Sequence, residues 1–103
     1  MSETTIMRDI LVAVTALPGS LFYRQNSGVG KTWAGTILHA GIPGCPDITG
    51  VYQGRAVGIE VKTPIGRQSP QQRKFQSAWE RAGGLYVIAR SVPEALSALG
   101  VAV

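Results

Sequence analysis

Two acidic side chains and one lysine, Asp47, Glu60 and Lys62, have the types and the spacing that could do chemistry. Residues two apart in a strand project from the same face, so Glu60 and Lys62 would point the same way. Carboxylates that converge from adjacent strands can hold a hard divalent cation through oxygen. A lysine beside them can position a water or offset the charge that grows on a phosphate. The pattern therefore indicates metal-dependent phosphodiester hydrolysis.

A β-hairpin must position these three residues. Residues 48–52 and 55–63 are two apolar runs that a turn at Gln53-Gly54 separates, and a turn-rich segment, 41–46, leads into Asp47. Short apolar runs on either side of a two-residue turn are typical of a hairpin. Asp47 would open the first strand, and Glu60 and Lys62 would lie near the end of the second.

Helices are predicted on both sides of this hairpin. Ser2 can cap a first helix that carries Glu3 in its first turn and ends at Pro18-Gly19. The second helix begins at Ser69, where Gln72 completes a capping box, and its end is marked by two consecutive glycines, 83–84. A second capping box, residues 91–94, predicts a short last helix that extends through residue 99.

The remaining segments predict an α/β domain. Residues 21–25 and 85–89 are expected to be strands, 26–35 a loop, and 36–40 a further short strand or extended segment. The element order is α-β-β-β-α-β-α, within a single domain over residues 1–103. A helix between two strands favours a parallel crossover, so we expect a mixed β-sheet flanked by helices.

Composition limits the function classes. The chain of 103 residues is 45% hydrophobic and 16% charged, which fits a folded globular protein. No apolar stretch approaches the ~20 residues of a membrane span, and the first residues do not resemble a secretory signal, so we expect no membrane partner. The single cysteine, Cys45, agrees with a reducing compartment. A net charge of +4 favours a polyanionic partner.

These motifs together resemble the PD-(D/E)XK nuclease superfamily, and most closely its VRR-NUC branch. The resemblance covers nearly the whole chain and rests on five segments in order: an acid at the start of the first helix, Arg24 to Gly28, Gly44 to Asp47, Glu60 to Lys62, and Ser69 to Gln72 opening a helix that ends in Ala82-Gly83-Gly84. It implies a restriction-endonuclease-like fold and a Mg²⁺- or Mn²⁺-dependent deoxyribonuclease. Free-standing members of this branch resemble phage or bacterial proteins that form homodimers and act on branched DNA such as four-way (Holliday) junctions. The expected compartment is therefore the cytoplasm of a bacterium or a phage-infected host cell.

The resemblance also suggests roles for site residues. Asp47 and Glu60 would be metal ligands, the backbone carbonyl of Val61 a third, and Lys62 would hold the attacking water or stabilise the transition state. Glu3 would bind the metal directly or through water, although an acid in the first turn of a helix is also favoured by the helix dipole. A further candidate, Gln72, would orient the lysine, a water or a phosphate, in competition with its capping duty.

Basic and polar residues would contact the DNA backbone. Arg24, Asn26, Arg67 and Lys74 are the candidates, and phosphate contacts of this kind give affinity without sequence selectivity. The alternatives are that Arg24 and Asn26 hold the loop and that Arg67 and Lys74 belong to a solvated basic face. A nucleotide cofactor is not expected: the segment 30–32 reads Gly-Lys-Thr, but Gln25 occupies the place of the first glycine of a phosphate-binding loop.

Two other readings remain open. The chain could be a nuclease-fold module that binds DNA or assembles complexes without catalysis. It could also be an α/β domain in which Asp47 is an ordinary turn residue, and Glu60 and Lys62 form a weak ion pair on an exposed strand face. Metal binding would distinguish the nuclease and the non-catalytic module from the unrelated α/β domain. Turnover would then distinguish the nuclease from the module.

Overall fold

The computed structural model describes residues 2–25, 29–31, 37–39 and 42–102. Asn26 lies outside the described residues. The described elements, in chain order, are α1 (Glu3–Thr15), β1 (Ser20–Arg24), β2 (Val29–Lys31), β3 (Ile37–His39), β4 (Ile48–Tyr52), β5 (Arg55–Val61), α2 (Pro70–Arg81), β6 (Leu85–Ala89) and α3 (Val92–Ala98).

Four strands form the main sheet in the order β1-β4-β5-β6. Neighbouring strands are antiparallel except β5 and β6, which are parallel and are joined through α2. This confirms the predicted mixed sheet with one parallel crossover and helices on its faces. The sequence prediction was wrong for residues 29–31, which were placed in a loop. They form β2, which pairs with β3 as a separate two-stranded sheet.

The first helix closes one face of the main sheet. Ser2 caps α1 by accepting a hydrogen bond from the backbone N–H of Thr5, as predicted. Four residues of α1 at helical spacing are buried in the core: Ile6, Met7, Ile10 and Val14. They pack with apolar side chains of β4 and β5, namely Ile48, Val57, Ile59 and Val61. Because Ile59 and Val61 face this core, Glu60 between them must point to the opposite face of β5.

The β4–β5 hairpin follows the predicted pattern. Its turn residues Gln53 and Gly54 have φ angles of 49° and 82°, as a two-residue hairpin turn of this hand requires. Strand β5 ends at Val61, two residues earlier than predicted. The backbone N–H of Lys62 still donates to the carbonyl of Ala89 at 3.0 Å, so the chain remains extended alongside β6 as far as Lys62.

The second helix begins and ends where the sequence predicted. The Ser69 hydroxyl accepts from the Gln72 N–H, and the Gln72 side chain accepts from the Ser69 N–H at 2.7 Å, which completes the capping box. After the helix, Gly83 adopts a φ of +98° that favours glycine. The Trp79 ring, stacked on Phe75 at 5.6 Å, donates its indole N–H to the carbonyl of Leu85.

The third helix is capped differently from the prediction. Ser91 accepts from the N–H of Glu94, as expected. The Glu94 carboxylate, however, accepts from the N–H of Arg90, one residue before the cap, rather than from Ser91. The predicted reciprocal capping box at 91–94 is therefore wrong in its second half. None of the helices described is long and apolar enough to cross a membrane.

Candidate active site

Asp47 and Glu60 meet across neighbouring strands. Ile48 of β4 pairs with Ile59 of β5, so Asp47, one residue before β4, lies opposite Glu60. This is the convergence of two acids that the sequence predicted. It depends on the hairpin register, because a slip of one residue would turn one of the two acids to the other face of the sheet.

Backbone hydrogen bonds fix Asp47 on both sides. Its carboxylate oxygen Oδ2 accepts from the backbone N–H of Val61 at 2.8 Å, and its backbone carbonyl accepts from the N–H of Gln25 at 2.8 Å. In a strand, the N–H and C=O of one residue point to the same side. The Val61 carbonyl therefore points to the side of β5 on which Asp47 lies, as a carbonyl that shared a cation with Asp47 would have to.

Close backbone packing positions the segment that leads into Asp47. Pro46 is fully buried, and a Cβ added to Gly58 would lie 2.8 Å from its Cγ, so glycine at 58 is what lets Pro46 pack against β5. Gly44 has a φ of +82°, and a Cβ there would overlap the backbone of Gln71 in α2. The Gly-Cys-Pro-Asp segment is thus held between β5 and the start of α2.

Glu60 is a fully buried carboxylate with one unpaired oxygen. Its relative exposure is 0%. Oε1 accepts from the Tyr86 hydroxyl at 2.8 Å, whereas Oε2 has no hydrogen-bond partner among the described residues. The Lys62 side chain is 14% exposed, and its ammonium lies 4.0 Å from Oε2. This burial excludes the alternative of an exposed strand face for Glu60.

The protonation of Glu60 reflects that burial. Burial raises the pKa of the carboxyl above 4.5; the Tyr86 hydrogen bond and the Lys62 charge lower it, while the charges of Asp47 and Glu3 raise it further. Burial, and the hydrogen bond and charge of Glu60, also raise the pKa of the Tyr86 hydroxyl, so it remains a donor at neutral pH. A buried acid with a perturbed pKa beside a cation is a frequent property of functional sites.

Glu3 and Arg24 line a small cavity together with Asp47. Its volume is about 80 Å³, room for a few water molecules. Glu3 comes from the first turn of α1 and Arg24 from the end of β1. The structure thus brings two predicted site residues from distant parts of the chain to Asp47. Across the described ranges, however, no three His, Cys, Asp or Glu side chains are grouped closely enough to hold a metal ion.

Gln72 lies at the start of α2, and its Oε1 is used by the capping box. Its amide nitrogen Nε2 is not part of the box, so one end of the side chain caps the helix while the other keeps two N–H donors. The sequence suggested that capping and site chemistry would compete for this side chain. In the structure the two roles would use different atoms, Oε1 for the cap and Nε2 for the site.

The basic side chains differ in how they are held. Arg67 and Lys74 are exposed. Three other arginines donate to backbone carbonyls, which ties them to the protein: Arg55 to Gly83, Arg73 to Gln68 and Arg90 to Gly66.

Tyr86 is the site residue that sequence reasoning missed. It looked like one apolar residue of a buried strand. Only the parallel register of β6, which places Tyr86 beside Gly58, brings its hydroxyl to Glu60. The one available signal was a tyrosine in an otherwise apolar run, because a buried tyrosine hydroxyl needs a hydrogen-bond partner.

Comparisons with known proteins agree with the fold. A solved structure described as a VRR_NUC domain matches with a TM-score of 0.58 and 17% sequence identity, over 95% of this chain and 90% of that chain. No protein-family model matches the sequence, and a search of curated proteins also gives no match. The match covers nearly the whole chain and shows that the two proteins share a fold.

Proposed function

We propose that this chain, which has the fold of a VRR-NUC domain, is a metal-dependent deoxyribonuclease that hydrolyses phosphodiester bonds. The observation that carries the proposal is Glu60, a fully buried carboxylate whose Oε2 has no hydrogen-bond partner among the described residues and lies 4.0 Å from the Lys62 ammonium. A buried carboxylate with one oxygen free of hydrogen bonds is costly to the fold, and Lys62 at 4.0 Å offsets only part of that cost. A non-catalytic module or an unrelated α/β domain would have no need to keep such a carboxylate.

The donor set suits Mg²⁺ or Mn²⁺. Asp47, Glu60 and the Val61 carbonyl offer only hard oxygen ligands, and Mg²⁺ commonly uses one or two carboxylates and keeps several waters. Two carboxylates are therefore enough, even though no third acid is grouped with them in the part of the chain that the structure describes. Glu3 would act through water from across the cavity. When bound, the ion lowers the pKa of its water and shields the charge on the phosphate oxygens.

The chain's own groups would supply the remaining interactions. The Lys62 ammonium would hold the attacking water or stabilise the negative charge that builds on the phosphate. The Gln72 amide nitrogen, which capping leaves available, would donate to a phosphate oxygen. Arg24 lies beside the cavity that Asp47 lines, where it would meet the DNA backbone.

Arg67 and Lys74 would extend the DNA contact beyond the site. Both are exposed. Arg67 lies on the loop before α2, and Lys74 lies in the first turns of α2. Asn26, which follows Arg24 by two residues, is proposed as a further contact on sequence grounds alone. Such contacts track the phosphates, so DNA affinity should fall steeply with salt.

A homodimer acting on branched DNA is the proposed working form. One domain carries one site and cleaves one strand, whereas a two-fold dimer supplies two sites and doubles the basic surface. The axis of such a dimer also suits a four-way junction, whose arms are related by a similar axis. Sedimentation should give twice the chain mass of 10.9 kDa; a monomer fully active on junctions would contradict the dimer but not the nuclease.

Cleavage assays test the activity directly. Labelled four-way junction, flap, single-stranded and duplex DNA are incubated with the protein in Mg²⁺, Mn²⁺ or EDTA, beside Asp47→Asn and Lys62→Ala variants. Asp9→Asn is the matched control, since Asp9 is an exposed residue of α1. We expect metal-dependent cutting, fastest on branched DNA, that both site variants lose and the control keeps. DNA binding without cutting in any metal would support the non-catalytic module instead.

A further inference from the structure

Tyr86 contacts the candidate metal ligand Glu60 directly. Its hydroxyl donates to Oε1 at 2.8 Å, and the tyrosine is only 7% exposed. A hydrogen bond to a charged acceptor is shorter and stronger than one between neutral groups. The bond therefore restricts how the Glu60 carboxylate can rotate, and it occupies one of the two oxygens.

The tyrosine ring is itself fixed from two sides. Its backbone belongs to β6, where Tyr86 is in register with Gly58 of the neighbouring strand β5. On α2, Phe75 approaches with a centroid distance of 6.4 Å. A ring held by a strand and a helix delivers its hydroxyl to one place, which is what orienting a ligand requires.

The two oxygens of Glu60 therefore have different surroundings. Oε1 is bound to Tyr86, whereas Oε2 faces the Lys62 side with no hydrogen-bond partner among the described residues. Asp47 is arranged similarly, because its Oδ2 is bound by the Val61 N–H. In each acid, the protein binds one oxygen and so defines the direction of the other.

We propose that Tyr86 is a positioning residue that holds Glu60 by Oε1 so that Oε2 is presented to a divalent cation. The inference rests on the proposed function, because it assumes that Glu60 binds the ion. Partners of this kind commonly change metal affinity by roughly 10–100-fold when they are removed. Tyr86→Phe should therefore weaken Mn²⁺ binding about tenfold or more while it keeps the ring and its packing.

Mn²⁺ binding to the DNA-free protein is measured by electron paramagnetic resonance, with two controls. Tyr52→Phe removes a hydroxyl at the far end of β4, and Phe75→Leu loosens the packing of the Tyr86 ring but keeps the hydroxyl. We expect the largest increase in the dissociation constant in Tyr86→Phe, a smaller increase in Phe75→Leu and none in Tyr52→Phe. Equal affinity in Tyr86→Phe and wild type, or an equal loss in Phe75→Leu, would overturn the positioning role. A wild-type protein that binds no Mn²⁺ would instead overturn the proposed function.

A spectroscopic test avoids any substitution of Tyr86. The chain has three tyrosines, so protein labelled with fluorotyrosine should give three ¹⁹F signals, of which Tyr23→Phe and Tyr52→Phe assign two. Mg²⁺ should shift the remaining signal, that of Tyr86, because an ion bound at Oε2 draws electron density from the carboxylate that accepts the tyrosine's hydrogen bond. Mg²⁺ binding detected by calorimetry without a shift of the Tyr86 signal would refute the inference.

Discussion

Neutralising Glu60 should stabilise the metal-free protein and abolish its response to metal. In Glu60→Gln, the amide oxygen can still accept from Tyr86, so the change removes mainly the charge. The amide nitrogen that replaces Oε2 is a buried group without a partner too, so the gain comes only from the extra cost of burying a charge. Lys62, at 4.0 Å from Oε2, offsets part of that cost. We therefore expect the variant to be more stable than wild type in EDTA at pH 8, by about 1.4 kcal/mol for each unit by which folding raises the pKa of Glu60.

The pH dependence gives this prediction its sign. Burial raises the folded-state pKa of Glu60 above 4.5. The stability that comes from its protonated form is fully present below that value and is lost as pH rises through the folded pKa. The advantage of Glu60→Gln should therefore be small near pH 5 and grow towards pH 8. Titrations of groups remote from Glu60 cancel in the difference between the two proteins.

Mg²⁺ should reverse the order of stability. A ligand that binds only the folded state stabilises it by about 2.7 kcal/mol at 100 times its dissociation constant. Wild type should gain this and Glu60→Gln should gain little. The assay is urea unfolding at pH 5 and pH 8, in EDTA and in Mg²⁺, with the exposed Glu80→Gln as control. A variant less stable than wild type at pH 8 in EDTA would show that ionised Glu60 is net favourable and would refute the reasoning.

Three further predictions follow from the same contacts. Gly58→Ala should lower the unfolding free energy by roughly 1–3 kcal/mol in urea, because the new methyl would crowd Pro46; an unchanged value would mean that the segment before Asp47 is free to shift. Gln72→Glu should keep the capping box with Ser69, and hence the melting temperature, but slow DNA cleavage about tenfold, since one hydrogen bond of about 1.4 kcal/mol would be lost; full cleavage would limit Gln72 to capping. Lys74→Ala should reduce the slope of log affinity against log salt by about 1 for every DNA structure tested, and a slope equal to wild type would place Lys74 off the DNA path.

Local signals explain what the sequence predicted well. The hairpin could be predicted because Gln53-Gly54 selects a two-residue turn, and the turn sets the register that brings Asp47 opposite Glu60. The second helix could be predicted because a capping box formed by adjacent residues, Ser69 to Gln72, determines where it begins. In both cases the interaction that decides the structure joins residues close in the chain.

Long-range packing explains what the sequence did not predict. Strand β2 is three residues long and depends on pairing with β3, so its own residues carry too little pattern to reveal it. The contact between Tyr86 and Glu60 spans 26 positions and depends on the register of the parallel strands. The Glu94 carboxylate accepts from the N–H of Arg90 rather than from that of Ser91. Sequence spacing alone does not distinguish these two neighbouring donors.

The burial of Glu60 connects the fold to the proposed chemistry. A carboxylate in water would bind a cation only after it gave up its own hydration, whereas Glu60 has already lost water at folding and keeps Oε2 unpaired. The fold therefore bears the desolvation cost before any ion arrives, and the Tyr86 hydroxyl keeps the carboxylate from turning away. Lys62 limits that cost without reaching hydrogen-bond distance, which leaves Oε2 available. The buried carboxylate therefore makes the metal-free protein less stable than an apolar side chain at this position would. Binding a divalent cation would recover that lost stability.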